Sequence, residues 1–323
     1  MDTLIQWLLQ GDPWVVYHTR LDLLQQNPDD PEVRNARLEM NTHPLVRRIF
    51  DDLNEWSGSA ISSHKSANQP MHKLGFLADL GLDRQDKNID SISEKIMQHQ
   101  SDQGPFQMIM NIPTHFGGDG VDTWAWALCD APLLLYVLVK FGYRDDERVK
   151  RGIQYLARLV RANGWPCAVS PEIGKFHGPG KKEDPCPYAT LVMCKLMGAM
   201  TDWQDSPEVH VGAESLLSLW VNRRERHPYL FYMGTDFCKL KVPFVWYDIL
   251  HICEVLSQFS WLHGDERLQE MMNVVSQKRN DDGRFTSESI WTAWKEWEFG
   301  QKKEPSRWLT FLVMRMQNRM KSV

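Results

Sequence analysis

No Cys-x-x-C pair occurs among the six cysteines, Cys129, Cys167, Cys186, Cys194, Cys238 and Cys253. A chain of 323 residues can bury a core without disulfide staples, so the thiols read as reduced and the protein as cytoplasmic. No run approaches the roughly 18 apolar residues of a membrane-crossing helix, and no transmembrane segment is expected. The opening MDTLIQWLLQ has neither a basic stretch nor a small-residue cleavage site, so it does not read as a secretory signal. Positive charge is in deficit: 37 Lys and Arg stand against 42 Asp and Glu, a net charge of -5. A nucleic-acid partner is not expected, because neutralising phosphates takes a cationic surface. Also absent are G-x-G-x-x-G, the Walker A loop, H-E-x-x-H, G-x-S-x-G and the EF-hand loop, which leaves nucleotide-dependent and simple hydrolase readings without support. Alternating β-branched runs joined by two-residue turns are missing as well, so few strands are expected.

What the chain does carry is a globular balance of 42% hydrophobic and 24% charged residues, with an unusual 14 Trp. It also repeats. Three stretches read as helix, Gly, acidic turn, second helix and a Gly-bearing turn with an aromatic neighbour; they end at Phe106, Pro166 and Phe285. Their first glycines are Gly81, Gly142 and Gly264, so the stride is 61 residues and then twice 61. Glycine suits the left-handed position that ends a helix, and the acids after it suit the positive end of the next helix. Trp203 marks the place of the skipped copy. A second series, Trp124, Cys186, Trp246 and Trp308, advances at nearly the same stride, and Asp12-Pro13-Trp14 opens the chain in the same style.

This pattern predicts an all-α protein in a single domain over 1–323. Six first helices start near 13, 63, 124, 186, 246 and 307. Second helices are expected over 30–55, 84–100, 146–162, 207–224 and 265–279, with a short helix at 2–10 as the sixth. The first helices are apolar nearly all round and the second ones amphipathic, as in an inner barrel wrapped by an outer one. That asymmetry favours a closed α/α toroid of about six hairpins over an open solenoid.

The turns QSDQGPF at 100–106, RANGWPC at 161–167 and RNDDGRF at 279–285 resemble those of the terpenoid cyclase and protein prenyltransferase superfamily. The resemblance spans most of 60–320. It implies an α/α toroid whose first helices converge on a central cavity, and an enzyme acting on a largely apolar small molecule. The first-helix openings would then line that cavity with His64, Trp124, Trp126, Tyr188, Trp246 and Trp308. Asp184-Pro185-Cys186 is similar to the Asp-x-Cys of prenyltransferases, and His251-Ile252-Cys253 to their His-x-Cys segment. The resemblance thus implies zinc held by Asp184, Cys186 and His251, with an open position for a thiolate.

Other readings stand beside it. Asp122 would serve as a cyclase acid, given a pKa raised by burial, or would simply cap a helix opening at Thr123. The Pro- and Gly-rich insert 165–187 is long enough for a lid or binding loop. Its Lys181 and Lys182 would meet an anion, and Cys167, His177 and Cys186 form a second possible zinc set, similar to that of lanthionine cyclases. Asp248 and His251, three apart, share a helical face, which suits a carboxylate orienting a general base. A non-catalytic scaffold keeps the same repeats without chemistry, and a carbohydrate-active enzyme would pair Asp122 with Asp248.

Overall fold

The computed structural model describes residues 3–61, 63–174 and 178–321. It is all-α apart from one small sheet. In chain order the helices are α1 (Thr3–Leu8), α2 (Pro13–His18), α3 (Pro31–Thr42), α4 (Pro44–Leu53), α5 (Pro70–Asp79) and α6 (Ile89–Met97). After strands β1 (Met108–Met110) and β2 (Thr123–Ala125) come α7 (Ala131–Leu138), α8 (Glu147–Ala157), α9 (Pro187–Gly198) and α10 (Pro207–Val221). The last three are α11 (Ile249–Leu256), α12 (Glu266–Ser276) and α13 (Arg307–Lys321). No helix among the described residues is long and apolar enough to cross a membrane.

Proline punctuates these starts. Pro13, Pro31, Pro70, Pro187 and Pro207 each occupy a first-turn position, where the missing N–H would have had no helical partner. Side-chain caps complete others: Asp146, Ser206, Asp248 and Asp265 each accept a backbone N–H of their helix. The chain folds into two compact units, residues 52–233 and the pair of segments 1–51 and 234–323.

In the unit 52–233, α5, α7 and α9 pack side by side, with α8 against α7 and α10 against α9. Every residue of α7 and of α9 is buried, whereas α8 buries one face only. This is the expected contrast between first and second helices. In the other unit, α11 pairs with α12, α2 with α3, and α13 lies against α1, α2, α11 and α12.

Two expected helix starts are displaced. Residues 122–126 do not open a helix: Thr123–Ala125 pair antiparallel with Met108–Met110, and α7 begins only at Ala131. Leu128 N then donates to the Ala168 carbonyl at 2.9 Å and Ser170 N to the Trp126 carbonyl at 2.8 Å, so this segment's backbone bonds go sideways rather than along a helix. The start expected near 63 falls at Pro70, because Ile61 joins the same sheet beside Met110 and the chain turns after it. The second helix expected over 30–55 is two helices, parted at Pro44, whose ring cannot continue α3.

Candidate active site

Within the unit 52–233 the openings of α5, α7 and α9 bring together residues far apart in sequence. Cys186 is the N-cap residue of α9, and its own N–H donates to the Trp165 carbonyl at 2.7 Å. Pro187, the first helical residue, has no N–H, and the Cys186 side chain makes no cap hydrogen bond; the amides of Ala189 and Tyr188 favour its thiolate through their dipoles. Asp130 is the N-cap residue of α7, makes no side-chain cap bond and is buried. His64, in the turn before α5, donates through Nδ1 to the Asp130 carboxylate, 2.9 and 2.7 Å from its two oxygens. The His64 carbonyl in turn accepts from His72 Nε2 at 2.8 Å. His72 is pushed down to about 4 by burial, so it stays neutral and serves as this fixed donor.

Electrostatics make Cys186 and His64 a complementary pair. The neighbouring Cys129 thiol is the largest influence lowering the Cys186 thiol. Burial opposes it, while the amides of Ala189 and Tyr188 and the nearby His64 charge add to it. Cys129 is raised chiefly by the neighbouring Cys186, with burial adding to the effect, so it keeps its proton. For His64, burial disfavours the charge, but the Asp130 carboxylate and the Cys186 thiolate outweigh it and raise the imidazole. The His64 side chain is 27% exposed and Cys186 as a whole only 3%, so the imidazole stands on the solvent side of the pair.

The described parts of the insert, 165–174 and 178–187, reach this centre through Trp165 and Cys167. Burial pushes the Cys167 thiol up, and Gly178 N–H donates to its sulfur at 3.3 Å. Tyr229 lies over the loop with its hydroxyl donating to the Lys181 carbonyl at 3.1 Å. A Cβ on Gly180 would come within 2.5 Å of the Tyr229 ring, so only glycine permits this approach. Tyr229 itself has φ of 52°, a conformation that β-carbon sterics disfavour and that packing must hold.

Of the residues expected from sequence, His64, Cys186 and Tyr188 meet at these openings. Asp184 sits two residues before Cys186, with Arg226 3.9 Å away. Lys181 and Lys182 are exposed, and the Lys182 carbonyl is held by Arg161 at 2.6 Å. Asp122 is exposed on the edge of the sheet and accepts from Asn111 Nδ2 at 2.8 Å. Trp124 stacks on His99 with centroids 3.4 Å apart, and buried Trp126 donates through its indole to Gln103 at 2.9 Å. His177 lies outside the described residues.

The unit formed by 1–51 and 234–323 holds the rest. Asp248 caps α11 by accepting His251 N–H at 2.9 Å, and burial pushes its carboxyl up to about 7. His251 donates through Nδ1 to the Trp246 carbonyl at 2.9 Å and stacks on Phe244. Trp246 is half-buried, and Trp308 is buried against His18 and Phe311. Among the described residues, no group of three or more His, Cys, Asp or Glu side chains is arranged to hold a metal ion. Asp184 lies 3.9 Å from Arg226, Cys186 opens α9, and His251 donates to the Trp246 carbonyl.

Sequence reasoning passed over Cys129, Asp130 and His72. The signal for Asp130 was present: Asp-Ala-Pro at 130–132 announces a helix start as Asp12-Pro13 does. Cys129 lay beside it in what read as an apolar helical run.

No family model matches the chain, and no curated protein matches it either. Among solved structures it is similar to the crystal structure of a protein from Actinoplanes, with a TM-score of 0.43 and 13% identity. That likeness covers 96% of this chain and 90% of the other.

Proposed function

We propose that this chain is an enzyme that transfers an acyl group through a thioester on Cys186. One observation carries the reading: a cysteine at a helix N-cap lies within electrostatic reach of an imidazole that a buried carboxylate orients. Nucleophilic cysteines work as thiolates, and a helix N-terminus with a nearby cation favours that form. Asp130 fixes the His64 ring through Nδ1, leaving Nε2 as the nitrogen that handles protons.

In the proposed reaction the Cys186 thiolate attacks the carbonyl carbon of an ester, thioester or amide. The S–C bond forms and the leaving group departs with the His64 proton. Water or an acceptor nucleophile then gives its proton to His64 and attacks the thioester; the S–C bond breaks and the thiolate returns. The largely apolar small molecule expected from the sequence enters this reading as the acyl donor.

The experiment offers the full chain a series of p-nitrophenyl esters of increasing chain length and reads both p-nitrophenol release and the mass of the protein. The expected result is a burst of release and an acyl mass on the peptide containing Cys186, absent in Cys186→Ala. Esters of every length leaving Cys186 unmodified would overturn the proposal.

A further inference from the structure

Within the unit 52–233 a second cleft opens along α10, and no residue of the acyl chemistry lines it. Its floor is one face of that helix: Glu214 and Ser218 lie four residues apart, with Ser215 and Leu219 beside them. Ala162, Asn163 and Pro185 form the facing wall. Arg226 closes one end, just past the place where α10 stops, its backbone N–H held by the Asn222 carbonyl at 2.9 Å. The cleft measures about 430 Å³, within the range of small-molecule sites.

Wall and floor are fixed against each other. Asn163 Nδ2 donates to the Glu183 carbonyl at 2.9 Å. At the base, Gly164 has φ of 116°, and a Cβ there would fall 2.7 Å from Ser215 Oγ and 3.1 Å from Pro185 Cβ, so only glycine lets the two sides meet. Ser215 is buried, and its hydroxyl has no hydrogen-bond partner among the described residues. A buried hydroxyl is costly to leave unpaired, so the base of the cleft holds a polar group that a bound molecule would satisfy.

The charges are laid out lengthwise. Glu214 is exposed on the floor, and one turn before it His210 spends Nε2 on Asp205 at 2.7 Å. From Glu214 to Val221, the last residue of α10, is about 10 Å along the axis, and Arg226 stands beyond. Its guanidinium makes no hydrogen bond among the described residues. Asp184 comes to 3.9 Å, further than the roughly 2.7–2.9 Å of a charge-assisted bond. A half-exposed pair at that distance is weak enough to exchange, so the planar fork is open to a carboxylate. Between the two ends lie Ala162, Pro185 and Leu219, which carry no charge.

We infer that this cleft binds a small ω-amino carboxylate, with its carboxylate on Arg226 and its ammonium on Glu214. A plain carboxylate would gain Arg226 but also face Glu214 and Asp184, and a plain amine would face Arg226. An α-amino acid carries both charges on one carbon and cannot span the cleft. The inference stands on α10 and its facing wall and needs neither the Cys186 thiolate nor an acyl donor.

The test titrates 6-aminohexanoate into the full-length protein and follows saturation transfer to the ligand by proton NMR, with hexanoate and hexylammonium as single-charge comparisons. The expected result is saturable binding of 6-aminohexanoate, about tenfold or more tighter than either comparison, because one hydrogen bond to a charged group accounts for about a decade of affinity. Arg226→Gln and Glu214→Gln should each weaken it about tenfold on the same ground. Both side chains are exposed, so neither variant should alter the near-ultraviolet circular dichroism. Ser218→Trp fills the cleft and should abolish binding; where that side chain disturbs α10, the two charge variants decide.

Absence of saturable transfer, a single-charge compound binding as tightly as 6-aminohexanoate, or unchanged affinity in either charge variant overturns the inference. Binding of 6-aminohexanoate without any acyl mass on Cys186 defeats the acyl-transfer reading alone; an acyl mass without that binding defeats this one alone.

Discussion

Cys194 and Cys186 are both buried in α9 or at its opening, yet their thiols move in opposite directions. Burial alone acts on Cys194 and raises it, whereas Cys186 has a neighbouring thiol, two helix amides and an imidazole charge to set against burial. The sign of each shift fixes a pH dependence. Cys186 is lowered and His64 raised, so the two shifts favour the thiolate of one and the imidazolium of the other. Iodoacetamide labelling of Cys186 should rise below the usual thiol range. In His64→Ala its midpoint should move to higher pH, because one source of stabilisation is gone. Acyl transfer should fall about 100-fold or more in the same variant, the usual contribution of a positioned proton carrier. Asp130→Asn should lower transfer with less effect on labelling, since orientation is lost while the imidazole remains. Labelling with the same midpoint in wild type and His64→Ala would break the link between the two residues.

Asp248 supplies a second dependence, on stability. Its folded value of about 7 lies above the ordinary 3.8. Below about pH 4 folded and unfolded chains both hold the proton. As pH rises toward 7, the unfolded chain releases it and the folded one retains it, so stability falls. The slope reaches at most about 1.4 kcal/mol per pH unit. Above pH 7 this contribution is constant. Asp248→Asn keeps an oxygen to accept the His251 amide but has no proton to lose, so its urea midpoint should decline less between pH 4 and 7. An unchanged slope would show that the carboxyl titrates normally.

At the scale of elements, the stride of about 61 residues gave the helices their order and most of their limits. Second helices expected over 207–224 and 265–279 are found at Pro207–Val221 and Glu266–Ser276. The two displaced starts share one cause: periodicity reports which residues are buried, not where their backbone bonds go. Trp124 keeps the stride but belongs to β2, because Met108–Met110 offered a pairing edge that no propensity revealed. The same shift hid Cys129 and Asp130, which moved from the middle of an expected helix to its opening. Cys186 and His64 were legible because the stride itself marked them.

The close approach of α10 to α9 makes a further prediction. A Cβ on Gly212 would meet Cys194 Sγ at 2.6 Å and Trp165 Cζ3 at 2.8 Å. Trp165 cannot give easily: its backbone N–H is held by Thr190 at 3.1 Å and its indole by the Leu156 carbonyl at 2.9 Å. Alanine would gain about 1 kcal/mol in helix propensity, but overpacking of this kind costs about 1–3 kcal/mol. Gly212→Ala should therefore be destabilising on balance. It should also slow Cys186 labelling, because the Trp165 carbonyl holds the Cys186 amide. A stabilised variant with normal labelling would show that α10 has room to retreat.

At the scale of the whole molecule, the chain leaves one unit at residue 51 and returns to it at 234, so that unit must be joined from two distant segments. Charges supply much of the join. Arg315 of α13 reaches Glu254 of α11 at 2.7 Å and Asp22, just beyond α2, at 3.3 Å; Arg319 adds a contact to Glu254 at 3.0 Å. Glu254 is only 8% exposed, so its charge is screened little and its partners matter more than those of a surface pair. Arg315→Met keeps the length and apolar stem of the side chain and removes the guanidinium. Arg319 still reaches Glu254, but Asp22 loses its link to α13 and keeps only His18, at 3.2 Å. Breaking a largely buried pair from one side costs about 3–5 kcal/mol, and the exposure of Asp22 and the remaining Arg319 contact place this case at or below the lower end. Hydrogen exchange read by mass spectrometry should show faster exchange across Pro13–His18, Ile249–Leu256 and Arg307–Lys321 together, because Arg315 joins α13 to Glu254 of α11 and to Asp22, which in turn holds His18 of α2. Protection lost in α13 alone, with α2 and α11 unchanged, would mean that apolar packing joins the two segments and that the charges merely decorate it.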